Sequence, residues 1–187
     1  SQMLSTAKKL YRLANEKQLD DMAREPGYQA RDMVQFEQGL ARIDRRYSAK
    51  VEQQIVLDIL SRYAKLPQSE HLPALDKAFG IDNTFDAAKL KKTLANFYAQ
   101  TQLSDKAVRM QWMDKSVADF KASNDPFIKI AVAMYDTDME QERKDKQLYG
   151  ELMKIRPQYM AAIIAYNKAQ GKPVYADANS SLRVTVG

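Results

Sequence analysis

The chain contains one histidine, His71, and histidine is the side chain that most often serves as a general base near neutral pH. A Ser-His-Asp triad needs such a histidine beside an activated serine, although the two residues can lie far apart in sequence. No serine of the chain lies in the strained Gly-x-Ser-x-Gly turn that exposes a nucleophile. We therefore interpret His71 as a surface residue at the start of a helix.

A run of carboxylates is the second candidate, as a cation site, and consists of Asp136, Asp138, Glu140 and Glu142. It lacks the glycine and the ligand spacing of a calcium loop, and Arg143, Lys144 and Lys146 follow it directly. This pattern predicts a solvated helix face. The absence of cysteine excludes thiolate metal sites and a cysteine nucleophile, and no Gly-rich phosphate loop is present. The sequence therefore predicts no catalytic, metal-binding or cofactor-binding residue in this chain.

The charge pattern bears on binding partners. The net charge is +5, but basic residues alternate with acidic ones, as at Asp44-Arg45-Arg46, which favours a solvated helix surface over a nucleic-acid patch. The aromatic residues are dispersed on predicted helix faces, so we expect them to pack, with Trp112 as a core or interface anchor. No apolar run approaches the roughly 18–20 residues that span a bilayer.

The elements that must position these residues are helices. Six Gly and six Pro in 187 residues are too few for the many turns of a sandwich or barrel, so the predicted fold class is all-α. Apolar residues at three-and-four spacing predict one helix over residues 3–25 and a second, very long one over residues 31–66. Together these two predict a long antiparallel helical hairpin.

Further helices follow, and six or seven are expected in total. A short segment over residues 69–79 is predicted to end at a left-handed Gly80, and Asp82 or Thr84 is predicted to cap the next helix. Ser104 is predicted to cap a helix that runs to about Phe120.

The last helical stretch begins at Asp125-Pro126, an N-cap residue followed by proline at the first helical position. Pro157 is predicted to kink or restart this stretch, which ends before Gly171. Beyond it, apolar residues alternate with polar ones over residues 182–186, which is strand periodicity. A strand without a partner in the chain indicates a sheet whose other strands lie elsewhere.

Residues 175–187 read Tyr-Ala-Asp-Ala-Asn-Ser-Ser-Leu-Arg-Val-Thr-Val-Gly. They resemble the pattern Tyr-Pro-Asp-Ala-Asn-x-Thr-Leu-Arg-x-Thr-Tyr-Gly of one bacterial family of serine exopeptidases. These are dipeptidyl-peptidases with a chymotrypsin-like double barrel and a large inserted helical domain. Residues 125–127 and 156–159 also resemble family features. The chain departs from the family pattern at Ala176, Ser181 and Val186.

The resemblance implies that the chain is a portion of a longer enzyme. Residues 1–171 would be part of the helical cap, and residues 172–187 would be the return segment and first strand of the catalytic barrel. In the family the catalytic His and Asp precede the helical insertion, and the serine follows it in a Gly-Asn-Ser-Gly-Ser-Pro motif. None of these motifs occurs here, so Ser180 and Ser181 are not assigned as nucleophiles.

The function implied by the resemblance is a non-catalytic cap that controls access of peptide N-termini to a serine peptidase cleft. The chemistry would be acyl transfer on serine with release of dipeptides, without metal or cofactor. The implied partners are peptide substrates and the catalytic barrel of the same polypeptide, with no nucleic acid and no membrane; oligomerisation is left open. The implied location is periplasmic or secreted. The alternative is a free-standing helical domain that binds a protein or nucleic acid and has no enzymatic activity.

Overall fold

A computed structural model of the chain describes residues 1–81 and 85–172. Over these residues the chain forms eight α-helices and no strand, so the all-α fold class is confirmed. The helices are α1 Gln2–Glu16, α2 Met33–Ala41, α3 Ala49–Tyr63, α4 Pro73–Phe79, α5 Ala87–Gln100, α6 Lys106–Trp112, α7 Val117–Ala122 and α8 Pro126–Ala169. Single 3-10 turns cover Asp21–Ala23, Ala30–Asp32, Arg42–Arg45 and Gln68–Glu70. The strand predicted at residues 182–186 lies outside the described residues.

Two predicted helices are shorter than their sequence patterns indicate. Helix α1 ends at Glu16, and the chain then folds back so that the Glu16 carboxylate accepts a hydrogen bond from the backbone N–H of Glu25, at 3.0 Å. The predicted helix over residues 31–66 divides at the turn Arg42–Arg45 into α2 and α3. The predicted long hairpin arm is therefore wrong, and residues 1–81 and 85–172 contain eight helices rather than six or seven.

The apolar spacing explains why residues 31–66 cannot form one amphipathic helix. At 3.6 residues per turn, each step of four residues rotates the next side chain by about 40°. The expected stripe through Val51, Ile55 and Ile59 consists of such steps and drifts around the helix; all three side chains are more than half exposed. Val56 and Leu60 are buried instead. The turn between α2 and α3 allows the two helices to bury different faces.

Local capping residues fix the end of α4 and the start of α5. Gly80 ends α4 in the left-handed conformation, with φ of 63°, as predicted. The Asp86 side chain caps α5 by accepting the backbone N–H groups of Ala88 and Lys89. The residues predicted for that role, Asp82 and Thr84, lie outside the described residues.

Helix α6 is capped by Asp105 rather than by Ser104, because the longer carboxylate side chain accepts the N–H groups of the first turn. The helix predicted to continue to Phe120 stops at Trp112, and Ser116 starts α7 with a reciprocal capping box. Asp125 caps α8 ahead of Pro126, as predicted.

The chain divides into two compact units, Ser1–Asp138 and Met139–Gly187. The core of the first unit contains the opening turns of α8, where Phe127 is fully buried. Its ring contacts Tyr98 at a centroid distance of 5.0 Å and Phe97 at 6.0 Å. Trp112 is partly buried against the core and packs on Phe120 at a centroid distance of 4.6 Å, which agrees with its prediction as a core or interface anchor.

The second unit contains the later part of α8. The helix continues through Pro157, so of the two predicted outcomes there, a kink or a restart, the restart is wrong. It ends at Ala169, ahead of a Gly171 with φ of 66°, as predicted. None of the helices in the described part of the chain is both long enough and apolar enough to cross a membrane.

Candidate functional site

The junction between α2 and α3 forms an open groove of about 490 Å³. The turn Arg42–Arg45 and the first two turns of α3 make one side, and the N-terminal end of α1 makes the other. Its aliphatic lining comes from Ile43, Val51, Ile55 and Val56. Two exposed cations, Arg42 and Arg46, and the partly buried Glu52 also line the groove.

Glu52 binds the N-terminal end of α1. One carboxylate oxygen accepts hydrogen bonds from the Tyr98 hydroxyl at 2.6 Å and the Ser1 hydroxyl at 2.7 Å, and the other accepts the backbone N–H of Gln2 at 2.8 Å. The backbone N–H of Met3 donates a further bond at 3.2 Å. A carboxylate is favoured here because unpaired N–H groups give a helix N-terminus a partial positive charge.

These contacts control ionisation in the groove. Burial alone raises the pKa of Glu52, but the hydrogen bonds from Tyr98, Ser1 and the two backbone N–H groups outweigh it and hold that pKa below its usual range. Burial, and then the adjacent Glu52 carboxylate, raise the pKa of Tyr47 to about 12. Burial and the hydrogen bond to Glu52 also raise the pKa of Tyr98. Glu52 is therefore an ionised acceptor and a poor general base.

The lowered pKa of Glu52 predicts a pH-dependent contribution to stability. The folded state stabilises the ionised Glu52 carboxylate more than the protonated acid. This contribution to stability is therefore fully present above the pKa that Glu52 has in the unfolded chain, and it disappears as pH falls through its pKa in the folded state. We expect Glu52→Gln to lower the free energy of unfolding by about 1–2 kcal/mol at pH 7. The difference from the unsubstituted chain should shrink below about pH 4.5.

Urea unfolding at a series of pH values measures this difference. Glu37→Gln is the matched control, since Glu37 lies exposed on α2, and it should show no pH-dependent difference. A Glu52→Gln effect that persists unchanged at pH 3, or none at pH 7, would contradict the assignment.

A buried arginine supports the turn beneath the groove. Arg109 of α6 is fully buried, and its guanidinium donates to the carbonyl oxygens of Leu40 at 3.2 Å, Leu103 at 2.9 Å and Ser104 at 2.8 Å. It also donates to the carboxylate of Asp44, which lies in the turn Arg42–Arg45. One side chain thus ties the C-terminal end of α2 to the loop that precedes α6.

The groove presents hydrogen-bond donors beside apolar side chains. Its exposed guanidinium groups can form charge-assisted hydrogen bonds with a carboxylate, and its aliphatic side chains can cover an apolar segment. The Ser1 hydroxyl is bonded to Glu52, whose lowered pKa makes it unsuitable for activating a nucleophile. Arg42 also bonds the Gln38 amide oxygen, at 3.3 Å, which fixes the direction of its side chain.

His71 lies in a second polar cluster, and the prediction that it is a surface residue is wrong. Its side chain is only 8% exposed, because it packs on the Tyr63 ring at 4.6 Å. Its Nδ1 lies 3.1 Å from the Asp76 carboxylate, and its Nε2 lies 3.2 Å from the carbonyl oxygen of Leu66. Both ring nitrogens are thus used within the fold, and no hydrogen bond within the described residues joins His71 to a serine.

Three of the four carboxylates in the acidic run on α8 pair with lysines. Glu140 pairs with Lys144 at 2.8 Å one turn along the helix, and Asp138 pairs with Lys8 of α1 at 2.9 Å. No group of three or more metal-ligating side chains occurs in the described part of the chain. These pairs agree with the predicted polar helix face.

Sequence reasoning missed the two residues that organise the groove. Arg109 lies between Val108 and Met110, so its position resembles that of any solvated arginine on a helix. Glu52 is one of 24 acidic residues and pairs with groups about fifty positions away. The repeated steps of four residues from Ile43 to Tyr63, which drift around a helix, were the available signal that the helix does not continue unbroken.

Comparison with known proteins gives a match along the whole chain. The family model for Peptidase S46 matches residues 1–187. The Asp/Glu-specific dipeptidyl-peptidase of Shewanella putrefaciens is 44% identical over 187 residues, which is 100% of this chain. Those residues make up 25% of the relative, so this chain spans about a quarter of its length.

Proposed function

The chain belongs to the peptidase S46 family, and from this we propose that it forms the non-catalytic helical part of a serine-type dipeptidyl-peptidase. The observation that carries the proposal is 44% identity to a dipeptidyl-peptidase over the full chain, within only 25% of that enzyme. The resemblance seen at residues 175–187 is confirmed at the level of the family. The comparisons do not favour a free-standing binding domain.

The proposed role of the helices is to control which peptides reach the catalytic cleft. In the complete enzyme a serine would attack the peptide carbonyl and release a dipeptide from the N-terminus, with no metal or cofactor. Within the described residues the ring nitrogens of His71 contact Asp76 and the Leu66 carbonyl rather than a serine, which is consistent with a non-catalytic role. As in the resemblance above, we propose a periplasmic or secreted location.

We further propose that the complete enzyme prefers an acidic residue at the second position of the substrate. The relative of known activity is Asp/Glu-specific. The net charge of +5 and the cationic groove support this preference, because a positive field attracts acidic peptides and raises their rate of encounter.

The test compares the complete polypeptide that contains these residues with the 187-residue chain, using chromogenic dipeptidyl substrates. We expect the complete polypeptide to release dipeptides with kcat/KM at least about tenfold higher for Asp or Glu than for Leu at the second position. Phenylmethylsulfonyl fluoride should abolish activity, a metal chelator should have no effect, and the 187-residue chain should be inactive.

An N-terminally blocked substrate is the matched control and should resist cleavage. Cleavage of the open substrate by the 187-residue chain unaided would overturn the non-catalytic assignment. A complete polypeptide without peptidase activity, combined with salt-sensitive binding of nucleic acid by the 187-residue chain, would instead favour the helical binding domain.

A further inference from the structure

The later part of α8 carries a stripe of large apolar side chains in contact with solvent. Its members recur at intervals of four, three, four and seven residues and are each 56–63% exposed: Leu148, Leu152, Ile155, Tyr159 and Tyr166. Spacing of this kind places them along one face of a helix. Exposed apolar surface of this extent marks an interaction site.

A second apolar row widens this face. Tyr149, Met153 and Met160 are 64%, 45% and 38% exposed and lie about 100–140° around the helix from Leu148. The two rows together cover about 160° of the helix, whereas the stripe of an ordinary amphipathic helix is about 100° wide. We call these eight residues the α8 docking face. Its width indicates contact with a folded surface rather than with one helix.

An arginine lies inside this face. Arg156 projects between the two rows and lines a groove of about 410 Å³ with Tyr149, Leu152 and Tyr159 among others. The side chain is exposed and makes no ion pair within the described residues. An apolar contact over Arg156 is favourable only if the covering surface supplies a hydrogen-bond acceptor, and a carboxylate is the strongest one. Lipid acyl chains offer no hydrogen-bond acceptor.

A second copy of the chain is a poorer occupant. If the α8 helices of two copies paired about a twofold axis, each helix would cover only the narrow seam formed by the first row of the other. That arrangement leaves the second row, with Tyr149 and Met160, in water. The polypeptide itself offers a larger surface, since this chain corresponds to only 25% of its relative.

We propose that the α8 docking face is covered, in the complete polypeptide, by a folded apolar surface of the same polypeptide outside residues 1–187, with a carboxylate that meets Arg156. This inference shares one premise with the proposed function, namely that the chain is a portion of a longer peptidase. It identifies α8 as an element of the interior of the enzyme rather than as a binding surface for a separate protein.

The absence of cysteine from the 187 residues allows a direct test. Leu152→Cys and Ile155→Cys are made separately in the 187-residue chain and in the complete polypeptide, and labelling by a water-soluble maleimide is followed against the unsubstituted background. Both positions should label at least about tenfold more slowly in the complete polypeptide. Lys154→Cys, on the polar side of the same turns, is the control and should label equally in both.

A second measurement tests the carboxylate. Arg156→Gln should lower the thermal unfolding midpoint of the complete polypeptide and leave that of the 187-residue chain unchanged. Fast labelling in the complete polypeptide overturns the proposal. Protection in the 187-residue chain that grows with its concentration, or that appears only with anionic lipid vesicles, also overturns it. Labelling does not depend on catalysis, so a failure here is distinct from a failure to cleave dipeptidyl substrates.

Discussion

Replacement of Arg109 by methionine is expected to lower the free energy of unfolding by about 3–5 kcal/mol. Methionine fills much of the space but cannot donate hydrogen bonds. The carbonyl oxygens of Leu40, Leu103 and Ser104 would therefore lose their guanidinium partner in the interior, and Asp44 would lose its ion pair. Urea unfolding followed by the fluorescence of Trp112, the only tryptophan, measures the loss close to the substitution.

Arg62→Met is the matched control, because Arg62 pairs with Asp58 on the surface and is 78% exposed. Exposed pairs of this kind contribute less than about 1 kcal/mol, so we expect a small change. Equal effects at Arg62 and Arg109 would show that the buried hydrogen bonds contribute little.

Truncation of Phe127 to alanine should have an effect of similar size, about 3–5 kcal/mol. The ring is fully buried and contacts Phe97 and Tyr98, so its loss removes apolar contacts and leaves a cavity between α5 and α8. Circular dichroism and Trp112 fluorescence during urea unfolding should report the same lowered midpoint for the first unit.

Val34→Ala provides the control for Phe127, since Val34 is a helical apolar residue that is 65% exposed. Its substitution should change the free energy of unfolding by less than about 0.5 kcal/mol. A Phe127→Ala variant as stable as Val34→Ala would mean that the start of α8 is not part of the core.

The fold class was predictable because it follows from local features. The scarcity of Gly and Pro and the three-and-four apolar spacing indicate helices, and Gly80 and Asp125-Pro126 place two of their ends correctly. The positions of the breaks depend on tertiary contacts. Helix α1 stops at Glu16, whose carboxylate accepts the backbone N–H of Glu25, an interaction that apolar periodicity does not report.

The groove could not be predicted for the same reason. Its polar groups are common residue types, and only folding brings Glu52 to the N-terminus of α1 and Arg109 to the carbonyl of Leu40. For His71 the sequence suggested too much exposure, whereas for Arg109 it gave no sign of burial. A histidine in a polar segment suggested a surface position, whereas contacts with Tyr63 and Asp76 bury its side chain.

Arg109 also restricts bending at the junction between α2 and α3. The break between α2 and α3 has the short, irregular form of a hinge, but hinges need backbone that can change its dihedral angles freely. Here the guanidinium of Arg109 holds the carbonyl of Leu40 on one side of the turn and Asp44 within it. The junction should therefore behave as a rigid elbow that carries α2, α3 and α6 together. Any bending within the first unit should then occur at another point.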